Sequence, residues 1–260
     1  MIKATGEFVA LFKNVADPVL SVACKQPTLQ GKIAWVLLGS ALYQQRTYIE
    51  IKKLLENLSQ EFPDDKLWAL PVPGGSRISK VIQKTFTHNH WSLTKETPGI
   101  FWSVGLFVRH HDDLEGWVKS RTPEEIWRDL GEIYYMGKSA SRPKACAAIY
   151  RLIAVSPLGL GLNHQKGMLP SLPLTMGARR FLAILGPAKD TGFASLSPVD
   201  KQKMATDFYK KVMPENPYEV AHALQFFLEE GVSDFMCREH TSCCKTCPLY
   251  IHCSYGGHCR

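Results

Sequence analysis

Cys237-Arg238-Glu239-His240-Thr241-Ser242-Cys243-Cys244-Lys245-Thr246-Cys247-Pro248-Leu249-Tyr250-Ile251-His252-Cys253 is the most informative stretch of this 260-residue chain. Six of the eight cysteines fall within the last 24 residues; Cys24 and Cys146 stand apart. In an exported protein such density would suggest a disulfide scaffold. The N-terminus, Met-Ile-Lys-Ala-Thr-Gly-Glu, carries no apolar stretch after its lysine, so a cytoplasmic protein with reduced thiols is expected. Clustered reduced cysteines then read as a metal site. Soft thiolates select zinc or an iron–sulfur cluster. A zinc site of four cysteines, or of three cysteines and a histidine, can recruit Cys243, Cys259, His240, His252 or His258.

Cys237, Cys244, Cys247 and Cys253 give the spacing C-x6-C-x2-C-x5-C. Within it Cys244-Lys245-Thr246-Cys247-Pro248-Leu249 reads C-x-x-C-P-L, and Phe226-Phe227-Leu228-Glu229-Glu230-Gly231 leads into it. This text resembles the C-terminal cluster loop, and the helix that feeds it, of the helix-hairpin-helix DNA glycosylase superfamily in its endonuclease III and adenine glycosylase branches. The resemblance implies that these four cysteines hold a [4Fe–4S] cluster, with zinc as the alternative. Cys243 and Cys259 receive no role.

The rest of the chain suits such a protein. Hydrophobic residues make up 45% and charged residues 21%, a globular composition. The longest apolar run, from Ile33 to Leu38, falls far below the roughly 18 residues of a membrane span, so no membrane association is expected. The net charge of +7 suits a polyanionic partner, though ordinary enzymes share it. Ile33, Val36, Leu37, Ala41 and then Ile49, Leu54, Leu55 recur with helical spacing. Pro71-Val72-Pro73-Gly74-Gly75, Pro98-Gly99, the stretch from Pro157 to Pro173 and Pro214-Glu215-Asn216-Pro217 separate helices. Thr122-Pro123-Glu124-Glu125 is a helix start with a capping box. The expectation is an all-α chain.

Three further passages resemble the superfamily. Leu37-Leu38-Gly39-Ser40-Ala41-Leu42-Tyr43-Gln44-Gln45-Arg46 is similar to the helix ending that carries a glutamine wedge. The resemblance implies that Gln44 or Gln45 fills the gap left by an everted base; a solvated helix-end glutamine is the plain alternative. Ser40 stands where the adenine glycosylase has its glutamate, which argues against adenine removal by that route. Leu130-Gly131-Glu132-Ile133-Tyr134-Tyr135-Met136-Gly137-Lys138-Ser139-Ala140-Ser141-Arg142 is similar to a glycine-tyrosine-tyrosine passage followed by a basic helix. It implies Tyr135 at the border of a base pocket, with core packing as the alternative. Lys138 and Arg142, four residues apart, are expected on one helix face toward phosphate or water.

Leu172-Pro173-Leu174-Thr175-Met176-Gly177-Ala178-Arg179-Arg180 takes the place of the family's Leu-Pro-Gly-Val-Gly hairpin, whose amides grip a phosphate. Gly177 is kept and Leu174 replaces a glycine; Arg179 and Arg180 offer charge in place of amides. Ser197-Pro198-Val199-Asp200 resembles a Pro-Val-Asp motif and implies Asp200 as the catalytic carboxylate. A carboxylate there stabilises oxocarbenium charge on the sugar or activates water. The alternative is that Asp200 merely caps a helix from Lys201 to Val212. Bifunctional relatives carry a nucleophilic lysine two residues after the hairpin glycine. Arg179 occupies that position and stays protonated, so a monofunctional enzyme is expected, with Lys189 the nearest substitute amine.

The resemblance covers about residues 30–50 and 123–253. Residues 60–120 have no counterpart and mix Trp68, Trp91, Trp102 and Trp117 with basic side chains, as a core or as a surface that reads the substrate. The implied architecture is the two-lobed helix-hairpin-helix glycosylase fold. Residues 30–186 would form the helical barrel lobe, and residues 1–29 with 187–260 the cluster lobe with its loop at 237–253. The implied activity is hydrolysis of a damaged or modified base from double-stranded DNA by a monomer, in base excision repair or modified-DNA processing. A catalytically silent DNA-binding protein and a bifunctional glycosylase/lyase are the alternatives.

Overall fold

The computed structural model describes residues 1–42, 47–63, 67–68, 80, 83–84, 97–137, 141–162, 171–185, 192–226 and 246–253. Among the described residues there is no strand, and the chain runs α1 (Ile2–Ala10), α2 (Pro18–Ala23), α3 (Leu29–Leu42), α4 (Tyr48–Glu61), α5 (Thr97–His110), α6 (Leu114–Ser120), α7 (Pro123–Asp129), α8 (Pro143–Ile153), α9 (Met176–Leu185), α10 (Pro198–Val212) and α11 (Pro217–Phe226). Short 3-10 turns lie at Leu130–Glu132, Phe193–Ser195 and Tyr250–His252. The protein is all-α, and no helix among the described residues is long and apolar enough to cross a membrane.

The chain divides into a central unit, Ala16–Pro170, and a terminal unit of Met1–Val15 with Ser171–Arg260. The sequence places these boundaries after residues 29 and 186. The earlier divisions follow from packing: α2 lies on α3 and α4, and α9 lies on α11.

In the central unit α3 is the hub, packed against α2, α5, α6 and α8. Every residue from Ile33 to Leu42 is buried, so the helix is apolar all round, as a helix surrounded by others must be. Gly39 makes the closest approach possible, since a Cβ there would meet Val19 Cγ1 at 2.5 Å. On α4 the buried face is Ile51, Leu54, Leu55 and Leu58, and Ile49 is 52% exposed. Ile49 is out of phase because Thr47 starts the helix: its hydroxyl takes the Glu50 amide while Glu50 accepts from the Thr47 amide at 2.7 Å. Thr122 and Glu125 form the same box on α7, with Pro123 in the first position. Asp17 caps α2, its Oδ1 accepting the amides of Val19 and Leu20 at 2.8 and 3.1 Å. Its Oδ2 meets Arg151 Nε and Nη2, each at 2.9 Å, and Arg151 Nη1 donates to Ser40 Oγ at 3.0 Å. These three side chains join α2, α3 and α8 in the interior.

In the terminal unit α1 packs on α10 and α11, and α10 on α11. Phe8 stands 5.3 Å from Phe12 and 5.6 Å from Phe181, ring centroid to centroid, and Phe181 is 6.4 Å from Phe208. Tilted and edge-on ring pairs of this kind suit the quadrupoles of the rings. The buried His222 on α11 reaches the Val15 carbonyl with Nε2 at 2.9 Å.

Candidate nucleic-acid interface and cluster loop

The segment before α9 is drawn inward. Leu172 donates its amide to Thr206 Oγ1 at 2.9 Å, and Gln202 Nε2 donates to the Leu172 carbonyl at 3.2 Å. Leu172 and Leu174 are buried, so the leucine that replaces a hairpin glycine is a core residue. The helix begins after Thr175, whose carbonyl takes the Arg179 amide at 2.9 Å and whose hydroxyl takes that of Ala178 at 3.3 Å. Gly177 is used for packing: a Cβ would meet the Leu224 and Gln225 carbonyl oxygens of α11 at 2.5 and 2.7 Å. Met176, Arg179 and Arg180 are exposed on the first turns. Two guanidiniums at the positive end of a helix make a surface that attracts anions through side-chain charge.

Asp200 lies on the first turn of α10, in the same unit as α9. It is not the N-cap. Ser197 is, with Pro198 following: the Ser197 hydroxyl takes the Asp200 amide at 3.2 Å and donates to Asp200 Oδ2 at 2.6 Å. Asp200 is thus the third residue of the helix, tied to its N-cap through the Ser197 hydroxyl, with its carboxylate exposed. It borders an open groove of about 610 Å³ lined also by Met1, Leu196, Lys203, Asp207 and Lys211.

Tyr135 and Arg142 belong to the central unit. They do not lie on a continuous basic helix. Tyr135 has φ 71°, Gly137 φ 109° and Arg142 φ 31°, and α8 starts only at Pro143. The Arg142 guanidinium lies 4.1 Å from the centroid of the Trp127 ring and donates from Nη1 to the Trp127 carbonyl at 3.1 Å. Gly131 leaves room for it, since a Cβ there would meet Nη1 at 2.6 Å. Left-handed backbone at Tyr135 and Arg142 is costly for non-glycine residues and persists where neighbours hold it, as this stack does. Tyr135 sits edge-on to Tyr134 with centroids 4.4 Å apart.

Of the four expected metal ligands, Cys247 and Cys253 are described and both are half-buried. The chain between them is wound tightly: Tyr250 N donates to Cys247 O at 3.1 Å, His252 N to Leu249 O at 2.9 Å and Cys253 N to Tyr250 O at 3.3 Å. Leu249 anchors the turn at 1% exposure. Cys237 and Cys244 lie outside the described residues, as do Gln44, Gln45, Lys138 and Lys189. Among the described residues no three His, Cys, Asp or Glu side chains gather as a metal site would require.

Sequence reasoning missed three features. One is the buried Asp17–Arg151–Ser40 group; Asp17 and Arg151 are 134 positions apart and nothing local couples them. Another is Lys144, whose Nζ donates to the Ala41 carbonyl near the end of α3 and lies 5.4 Å from the Tyr135 ring centroid. Burial pushes its ammonium down to about 7. A single lysine on the first turn of an amphipathic helix gives no sign of this. The third is an aromatic cleft between α5 and residues 131–137. No family model, curated protein or solved structure matches the chain.

Proposed function

We propose that this protein is a monofunctional DNA N-glycosylase acting on a damaged or modified base turned out of the duplex. The observation that carries the reading is Asp200: an exposed carboxylate, held by Ser197 on the first turn of α10, open to a groove and in one unit with the arginines of α9. Breaking the glycosidic bond builds positive charge on the sugar. The Asp200 carboxylate stabilises that charge or takes a proton from the attacking water, and the base leaves as water adds to the sugar carbon. Arg179 and Arg180 hold backbone phosphates by charge, with Gly177 allowing α9 its place on α11. Gln44 or Gln45 fills the vacated stack, Tyr135 borders the base, and Lys138 adds a phosphate contact. A guanidinium at position 179 has no free amine to serve as the nucleophile of a lyase. Cys237, Cys244, Cys247 and Cys253 hold a [4Fe–4S] cluster that serves structure and orients Arg238 and Lys245. Two of that ligand set, Cys247 and Cys253, stand at the two ends of one tight turn and are half-buried.

A second reading, a DNA-binding protein without catalysis, is favoured by the hydrogen bonds with the Ser197 hydroxyl, which give Asp200 a structural use. The test is to incubate anaerobically purified protein and Asp200→Asn with duplexes carrying a panel of modified bases, splitting products between alkali and no treatment. Breaks that appear only after alkali and vanish in the variant are expected, with the broad visible absorption of an iron–sulfur cluster in both preparations. Asparagine keeps an acceptor for Ser197, so the fold is preserved. Breaks without alkali overturn the monofunctional assignment, a colourless protein overturns the cluster, and equal behaviour of the variant favours the silent binder.

A further inference from the structure

The cleft between α5 and residues 131–137 measures about 850 Å³, within the roughly 300–1,000 Å³ of small-molecule sites. Its walls are aromatic in an unusual way: Trp102 is 50% exposed and Tyr134 is 47% exposed, whereas Trp35, Trp68 and Trp117 of the same unit are buried. Large rings left half in water at the mouth of a cavity forgo the burial that normally justifies them. Tyr134 is fixed there. Gly99 lets its ring lie against α5, since a Cβ would meet Tyr134 Cδ1 and Cε1 at 3.2 Å. Ser103 on α5 donates to the Ile100 carbonyl at 3.2 Å and also reaches that of Tyr134. The next residue, Tyr135, is held at φ 71° with its ring edge-on to Tyr134, so the pair presents a set geometry to the cavity. Gly99, Gly131 and Gly137 line it too, the first two giving their room to the Tyr134 ring and the Arg142 guanidinium that shape its wall. Its lining also includes the polar groups of Glu132, an acceptor, and His110, a donor or acceptor according to tautomer.

We infer that this cleft, built on Trp102 and Tyr134, binds an unstacked nucleobase of a nucleic acid strand. Exposed π-faces stack any base, while Glu132 and His110 offer hydrogen-bond partners to its ring nitrogens and exocyclic groups. The net charge of +7 draws the polyanion that carries such a base, where an uncharged aromatic metabolite would gain nothing from it. The inference deepens the glycosylase reading and rests on its nucleic-acid partner, but not on Asp200. Trp102 lies in the region that has no counterpart in the family, so the cleft belongs to this chain's own recognition of its substrate.

The test compares a mixed-sequence single-stranded 12-mer with a 12-mer of the same backbone carrying abasic tetrahydrofuran units, both fluorescein-labelled, by anisotropy. The wild type is expected to prefer the base-bearing strand by about 5- to 150-fold. W102A and Y134A should lose that preference while binding the abasic strand as before, and W102F should keep most of it. Both side chains are half-exposed, so the truncations leave the core intact, which thermal melts verify. Equal wild-type affinity for the two strands, or variants that weaken both alike, overturns the proposal. If the wild type binds neither strand, the nucleic-acid reading of the protein falls. The cleft is then judged by titrating the four 5′-mononucleotides against the Trp102 indole N–H signal, identified by its loss in W102F. A shift upholds a nucleobase site, and no shift at millimolar ligand overturns it.

Discussion

Removing Asp17 tests the account of the central unit most severely. Its carboxylate and the Arg151 guanidinium are 2% and 1% exposed, so both charges have left water and depend on each other. Oδ2 receives Nε and Nη2 of Arg151, and Oδ1 receives two amides of α2. Asp17→Ala strands a buried guanidinium with Ser40 Oγ as an acceptor, a loss of about 3–5 kcal/mol. It also uncaps α2, a further cost of about 1 kcal/mol. Against a typical total of about 5–15 kcal/mol, the variant should be near the edge of folding. Arg151→Met should cost a comparable 3–5 kcal/mol, because it leaves the carboxylate buried. Ser40→Ala, which removes one neutral acceptor, should cost about 1–2 kcal/mol. The double variant Asp17→Ala/Arg151→Met should be more stable than the sum of its parts by about 2–3 kcal/mol, since neither charge is then orphaned. All six tryptophans, at positions 35, 68, 91, 102, 117 and 127, lie in the central unit, so their fluorescence in urea titrations reports that unit alone. Single variants costing less than about 1 kcal/mol, or strict additivity in the double, would refute the reasoning.

Gly177→Ala should destabilise the terminal unit by about 1–3 kcal/mol in far-UV circular dichroism melts, because its Cβ would strike backbone oxygens of α11 at 2.5 and 2.7 Å. Unchanged stability with weakened DNA binding would instead make Gly177 a ligand-approach residue. For Lys144, burial places the native value near 7 against 10.5 in the unfolded chain, so between those values the unfolded state holds the extra proton. Stability should rise with pH across that window by up to about 1.4 kcal/mol per unit, less as water screens the amine, and Lys144→Met should flatten the rise in paired urea titrations.

The helical class was legible because burial imposes its period locally. Ile33, Val36, Leu37 and Ala41 are all buried, and Thr122-Pro123-Glu124-Glu125 forms its box. Errors arose where two local signals compete. At Ser197-Pro198-Val199-Asp200 the serine caps, proline takes the first helical position and Asp200 falls third, so the helix starts at Pro198 instead of Lys201. Lys138 and Arg142 have helical spacing, yet Gly137 at φ 109° and Pro143 at the start of α8 put Arg142 before the helix. What no local pattern carries is partnership across the chain: Leu160 and Leu162 fold back onto the Arg151 and Leu152 carbonyls, so the start of the proline- and glycine-rich connection is pinned to α8. The exposure of Trp102 is likewise a property of its surroundings, invisible in a sequence where Trp68 and Trp117 look the same and are buried.

The family-like positions divide by what already occupies them. Ser40 answers Arg151, Arg142 lies against Trp127, Leu174 fills the core and Gly177 spaces two helices. Each of these has a structural use that would preserve it without any nucleic acid. Met176, Arg179, Arg180 and Asp200 differ: they are exposed on the first turns of two helices, with Asp200 held by the Ser197 hydroxyl. Under the proposed function a phosphate at α9 would be held by guanidinium charge more than by hairpin amides, and such contacts weaken steeply with salt through counterion uptake. Charge fixes the strand without reading it. On the proposed nucleic-acid reading, discrimination among bases would come from surfaces that meet a base directly, and among the described residues the half-exposed rings of Trp102 and Tyr134 offer such a surface.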